Sequence, residues 1–194
     1  REDAGAVLPR EPDARRSPPD DQEMGTVEIV VAHPAGRRLA ARCSRLLKRL
    51  LKETGRPGAG VTLLLASDRE VRRLNRAWLG RDRTTDVLSF PAQGDLEPGR
   101  PHLGDIAISV SQAARQARRA RWRLRDEISL LLTHGFLHLL GYDHETDGGE
   151  MRRLEEGLLD RAACVRLAKR RVPWGEAGAV SGKGRGKRPE DRMS

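Results

Sequence analysis

With 194 residues, two cysteines and a net charge of +9, the chain can hold one ordinary domain with its own core and is too short for two of comfortable size. It contains no apolar run of 18 residues and no apolar signal core near its start, so neither a membrane span nor secretion is supported and the cytoplasm is the expected location. Cys43 and Cys164 lie far apart in no ligand-like spacing and are expected to be buried, reduced fillers.

Residues 1–24 are rich in Pro, Asp, Glu and Arg without an apolar period, and are expected to form a disordered tail with Met24 as the natural start. TVEIVVAHP then reads as a strand stopped by Pro34. RRLAARCSRLLKRLLKET places Leu39, Cys43, Leu46, Leu47 and Leu50 at helical spacing and closes at Gly55. A second strand follows at 60–66, and Ser67-Asp-Arg-Glu70 is a capping-box signature for a helix carrying Val71, Leu74 and Trp78 on its apolar side. DVLSFP (86–91) and GDIAISV (104–110) read as two further strands, and helices are expected at about 111–122, 125–140 and 149–170. Residues 173–194, rich in Gly, Lys and Arg, read as a disordered basic tail.

Strands alternate with helices at first and helices then dominate. This order predicts an α/β fold, mixed α+β, with one domain over 25–172 and a small sheet of about four strands covered by helices. EISLLLTHGFLHLLG is apolar nearly all round, so its helix should be central and buried. The N-terminal tail carries net −3 and the C-terminal tail net +2, which leaves +10 on the body. Such a body suits a polyanion, because phosphate contacts release condensed counterions. By itself, a soluble basic surface explains the charge equally well.

The buried helix carries the chemistry. His134 and His138 stand four residues apart and share a helix face, while Gly141 permits the sharp exit that returns His144 towards them, giving HxxxHxxGxxH. Three of the five histidines fall within eleven residues. A lone core histidine is usually just hydrogen-bonded, but this clustering favours one metal ion, zinc foremost, with a fourth position open to a metal-bound water of lowered pKa. Zinc peptidases of similar spacing carry Glu directly after the first His as general base, where this chain has Gly135. Peptide hydrolysis is therefore disfavoured. Asp143, Glu145 and Asp147 are the nearby carboxylates that could move protons or support the ligands, Asp143 foremost, although surface solvation is the commoner fate of such groups.

HGFLHLLGYDH, preceded by LNRAWLGRDRTTDVLSFP (74–91) and LGDIAIS (103–109), resembles the YbeY family of single-domain metal-dependent endoribonucleases, over about residues 27–165. The resemblance implies one zinc ion held by His134, His138 and His144. It also implies a role in maturing the 3′ end of small-subunit (16S) ribosomal RNA and in ribosome quality control, with ribosomal RNA and the small subunit as partners; neither DNA nor a membrane is expected as a partner. Two positions depart from the family pattern: Leu79 stands where a basic residue, usually Arg, is common, and Thr84 where Pro is common. Arg81 and Arg83, with Arg76, are candidates to supply the missing RNA contact.

Thr85, Asp86 and Ser89 could be cleft groups, but a Thr-Asp before a strand more often fixes backbone geometry. RQARRARWRLR (115–125) holds six Arg and one Trp in eleven residues. It could grip phosphates and stack on a base, or equally form a solvated helix face with Trp122 packed inward. Two further readings stay open: a metallohydrolase with a non-RNA substrate, and a non-catalytic ribosome assembly factor whose zinc is structural.

Overall fold

The computed structural model describes residues 25–92, 101–144, 147–163 and 180–181. Glu145, Cys164 and the expected tails, apart from Val180–Ser181, lie outside the described residues. The elements in chain order are β1 (Val27–Val31), α1 (Arg37–Glu53), β2 (Gly60–Ala66), α2 (Asp68–Leu79), β3 (Val87–Pro91), β4 (His102–Ser109), α3 (Val110–Ala120), α4 (Leu124–Leu139), α5 (Glu150–Leu158) and the two-residue β5 (Val180–Ser181). A π turn at Leu159–Ala163 continues α5. The expected mixed fold is therefore present, and β4 begins two residues earlier than the sequence pattern suggested.

Sheet order is β1-β2-β4-β3-β5. β1, β2 and β4 run parallel, with Ile29 opposite Leu63 and Leu63 opposite Ile106. β3 joins antiparallel, Ser89 opposite Ile106. Because side chains alternate along a strand, the sheet feeds two unequal cores. Val61, Leu63, Leu65, Val87, Ile106 and Ile108 face the larger one, built with α1, α4 and α5. Leu64, Ala66, Leu88, Ala107 and Phe90 face the smaller one, closed by Val71, Leu74 and Leu79 of α2.

The Ser67 capping box forms as expected, with the Ser67 hydroxyl and Glu70 carboxylate each meeting the other's backbone N–H. Trp78 departs from expectation: it is 66% exposed and leans on Phe90 at a ring separation of 6.0 Å, while Asn75 takes the buried position. The reason is that the amide of Asn75 donates to the carbonyl of Arg83 at 2.8 Å, which ties the α2–β3 loop to the helix. Cys43 is buried, and burial pushes its thiol up to about 12. α4 is buried along every face from Glu127 to Leu139, between the sheet and the helices α1, α3 and α5.

Candidate metal centre

α4 delivers His134 and His138 to its C-terminal end, where the chain turns through Gly141 at φ +91° and brings back His144. A side chain at Gly141 would be strained in this left-handed region. Ring centroids lie 4.7 Å apart for His134–His138, 5.4 Å for His134–His144 and 5.5 Å for His138–His144. One ligand nitrogen from each lies within 4.8 Å of the others. The Nε2 atoms of His134 and His138 face each other at 3.2 Å. Nitrogens bound at about 2.1 Å to one tetrahedral ion are separated by about 3.4 Å, so the buried pair fits such an ion.

Burial acts on His138 and a buried carboxylate on His134. Burial, with His134 and His144 beside it, pushes His138 down to about 4, so it is neutral at pH 7. The Nδ1 of His134 meets the carboxylate of Glu155 at 3.1 Å, both side chains being almost wholly buried. A carboxylate in that place fixes the tautomer with hydrogen on Nδ1 and leaves the Nε2 lone pair directed at the cluster. Sequence reasoning missed Glu155. Its signal was present: on α5 it occupies the apolar stripe with Met151 and Leu158, four and three residues away. A carboxylate on such a stripe needs a partner.

A cavity of about 190 Å³ opens over His134, His144 and Glu155 and is bordered by Asp147 and Arg152. Asp143 is half-buried and close enough to His138 to favour its protonated form. Asp147 instead secures the start of α5. It accepts from the backbone N–H of Met151 at 2.7 Å and of Gly149 at 2.8 Å, and these bonds, Met151's first, hold its carboxyl below the usual range.

Gly135 has a packing reason. A Cβ there would meet Ser89 Oγ at 2.9 Å, Ile106 Cγ2 at 3.0 Å and Val87 Cγ2 at 3.1 Å. α4 lies so close to β3 and β4 that the peptidase glutamate has no room. Ser89 donates to the Gly135 carbonyl at 3.0 Å. Asp86 accepts from the Val87 N–H at 2.9 Å, from Thr85 Oγ1 at 3.2 Å and from Gln116 Nε2 at 2.8 Å. Asp86 and Ser89 thus anchor β3 against α3 and α4.

Arg81 and Arg83 lie exposed on the loop between α2 and β3 with no acidic partner among the described residues. Leu79, in place of a basic residue, packs into the smaller core, and Thr84 donates to the Asp68 carbonyl at 3.3 Å. Trp122 is half-buried and donates towards Glu127, which agrees with the inward reading of its segment.

A family model described as Endoribonuclease YbeY matches residues 32–163. An endoribonuclease YbeY of Anaeromyxobacter sp. (strain Fw109-5) is 44% identical over 147 residues, covering 75% of this chain and 76% of its own length. One of Thermus thermophilus is 45% identical over 139 residues, covering 69% of this chain and 98% of its own. The solution structure of a Thermotoga maritima protein matches with TM-score 0.50 at 24% identity, over 77% of this chain and 99% of that one, and shares the fold.

Proposed function

The chain belongs to the endoribonuclease YbeY family, and on that premise we propose that it is a single-strand-specific, zinc-dependent endoribonuclease of the cytoplasm. Its substrate in this reading is the 3′ end of small-subunit (16S) ribosomal RNA, and its further role is ribosome quality control on the small subunit. The observation that carries the reading is the convergence of His134, His138 and His144 beside a cavity, with Glu155 behind His134. Three neutral nitrogen donors suit zinc and leave it an open position, as catalytic sites do.

Zinc, when bound, supplies positive charge that acidifies water and steadies the negative charge gathering on phosphorus. The chain's own residues prepare that place. Glu155 keeps the proton of His134 on Nδ1, and burial keeps His138 unprotonated. The +10 body attracts the RNA backbone, with Arg81 and Arg83 exposed for phosphate contact. Asp143 is the candidate to support His138. Gly135, where a peptidase has its base, weighs against peptide substrates.

The test compares wild type with His138→Ala for metal content by mass spectrometry, for fold by circular dichroism and for cleavage of a 3′-extended small-subunit rRNA fragment. A folded variant that has lost both metal and cleavage is expected. A folded, metal-free variant that still cuts would refute the proposal. A wild type that binds zinc, cuts no RNA and unfolds on chelation would mark the zinc as structural.

A further inference from the structure

We propose that the arginines of α1 and of the α3–α4 corner form one continuous phosphate-binding surface, separate from the histidine centre, that grips the backbone of a helical RNA arm flanking the cut. This rests on the endoribonuclease reading for its substrate and goes beyond it in naming a second contact.

The two groups of arginines are distant in sequence and meet in the fold. On α1, Arg38, Arg42 and Arg45 occupy one stripe at spacings of four and three residues. Arg42 reaches across to α4: its Nε donates to Ser129 Oγ at 3.4 Å and its Nη2 lies 3.9 Å from Asp126 Oδ1. The same Asp126 oxygen lies 3.6 Å from Arg125 Nε. Asp126 thus joins the α1 stripe to the corner that carries Arg121 and Arg123. Arg38, Arg45, Arg121 and Arg123 are exposed, and none has an acidic partner among the described residues. Glu53, the single acid of α1, is paired at the far end with Arg161 at 3.1 Å. The result is a strongly basic surface on α1 and the α3–α4 corner, its one acid at the seam, Asp126, being paired with Arg42 and Arg125.

Arg121 adds a backbone observation. It ends α3 at φ +57°, the one non-glycine residue with positive φ among those described. Glycine is the ordinary occupant of that position, since other side chains are strained there. A guanidinium is held at the corner in spite of that strain.

The chemistry selects a helical arm over a single strand. Sequence-independent binding of single strands uses aromatic platforms as well as charge, and among the described residues this face presents none: Trp122 turns to Glu127, and exposed Trp78 belongs to α2, on the other side of the sheet. Arginines set on a packed helix and on the turn between two others match the regularly spaced phosphates of a helical backbone, which is how double-stranded RNA is recognised. From Arg123 to His134 is about 16 Å along α4 at about 1.5 Å per residue. A flanking helix can therefore rest on the corner while its unpaired strand enters the histidine centre.

The experiment uses the full chain and the variant Arg38→Ala/Arg45→Ala/Arg121→Gly/Arg123→Ala. Affinity for an RNA hairpin with a single-stranded 3′ extension is followed by fluorescence anisotropy over a salt series, and cleavage is followed on a short unstructured oligoribonucleotide. Wild type is expected to show a salt slope steeper by about 3 and, at low salt, about 100-fold tighter hairpin binding. Both proteins are expected to cut the short oligomer at the same rate. Arg121→Gly alone separates binding from folding: it is expected to melt higher than wild type yet bind the hairpin more weakly. An unchanged slope and affinity, with oligomer cleavage intact, overturns the surface while leaving the endoribonuclease reading standing. A wild type that does not cut the oligomer defeats that reading, and a lost slope in the variant would still uphold the surface as an RNA contact. Capture of wild type, but not the variant, by vesicles of phosphatidylcholine and phosphatidylserine, with hairpin binding unaltered, overturns the proposal in favour of a membrane surface.

Discussion

Replacing Gly135 by alanine sets two effects of known sign against each other. In an open helix, glycine to alanine stabilises by about 1 kcal/mol, because the unfolded chain loses freedom. Here the new Cβ falls 2.9 Å from Ser89 Oγ, 3.0 Å from Ile106 Cγ2 and 3.1 Å from Val87 Cγ2. None of the three is a free tip. Ser89 is held by its 3.0 Å bond to the Gly135 carbonyl, and Val87 and Ile106 are buried, β-branched strand residues with little rotamer choice. Overpacking a core by one methyl costs about 1–3 kcal/mol, and three simultaneous contacts place this site in the upper part of that range. The net expectation is a loss of about 1–2 kcal/mol, read as a melting temperature lower by about 3–8 °C for a domain of this size. Thermal unfolding followed by circular dichroism measures it. Adding Ser89→Ala removes the nearest contact, so the pair should be less destabilised than the sum of the single variants. An alanine variant that melts at or above the wild-type temperature would refute the claim that close packing of α4 on the sheet demands glycine.

Glu155→Ala should weaken zinc binding about 10–100-fold by freeing the His134 tautomer, while Glu155→Gln, which keeps an acceptor for Nδ1, should lose less; isothermal titration with zinc distinguishes them. Chelation should abolish cleavage and leave the far-ultraviolet dichroism largely intact, because α4 is held by the core as well as by its histidines. Burial of Glu127 pushes its carboxyl from 4.5 to about 7, helped by Asp86 and opposed by a bond from Trp122. The folded state therefore binds this proton more tightly than the unfolded chain, and stability from this group is full below pH 4.5 and falls as pH rises to about 7, by about 3 kcal/mol in all. Glu127→Gln should flatten that fall in urea titrations across the same window, and an unchanged profile would exclude Glu127 as its source. Arg81→Ala and Arg83→Ala should each lower the salt slope of RNA binding by about 0.7 on a single strand, and no change in either would remove them from the RNA contact.

Much of this protein was legible in its sequence because the deciding signals are local. Short apolar, β-branched runs ended by turn residues marked β1 to β4, helical spacing marked α1 and α2, and Ser67 with Glu70 marked a cap, since each depends on residues within a turn or two of one another. HxxxHxxGxxH announced the three-histidine cluster for the same reason: one helix face and one glycine turn bring the nitrogens together. What crosses between elements could not be read this way. Trp78 fitted the apolar spacing of α2, yet α2 docks through Val71, Leu74 and Leu79 with Asn75 bonded to the following loop, and the tryptophan faces solvent. Gly135 read only as a missing catalytic glutamate until the sheet was found against its α-carbon. Glu155 lies 21 residues from His134, and Arg42 lies 84 from Asp126, so their pairings exist only once α5 and α1 dock on α4. Sequence periodicity determines which face of an element is buried. Which partner that face meets, and which charge then stands behind a ligand, depends on how the helices pack across the sheet, and only the tertiary structure decides that.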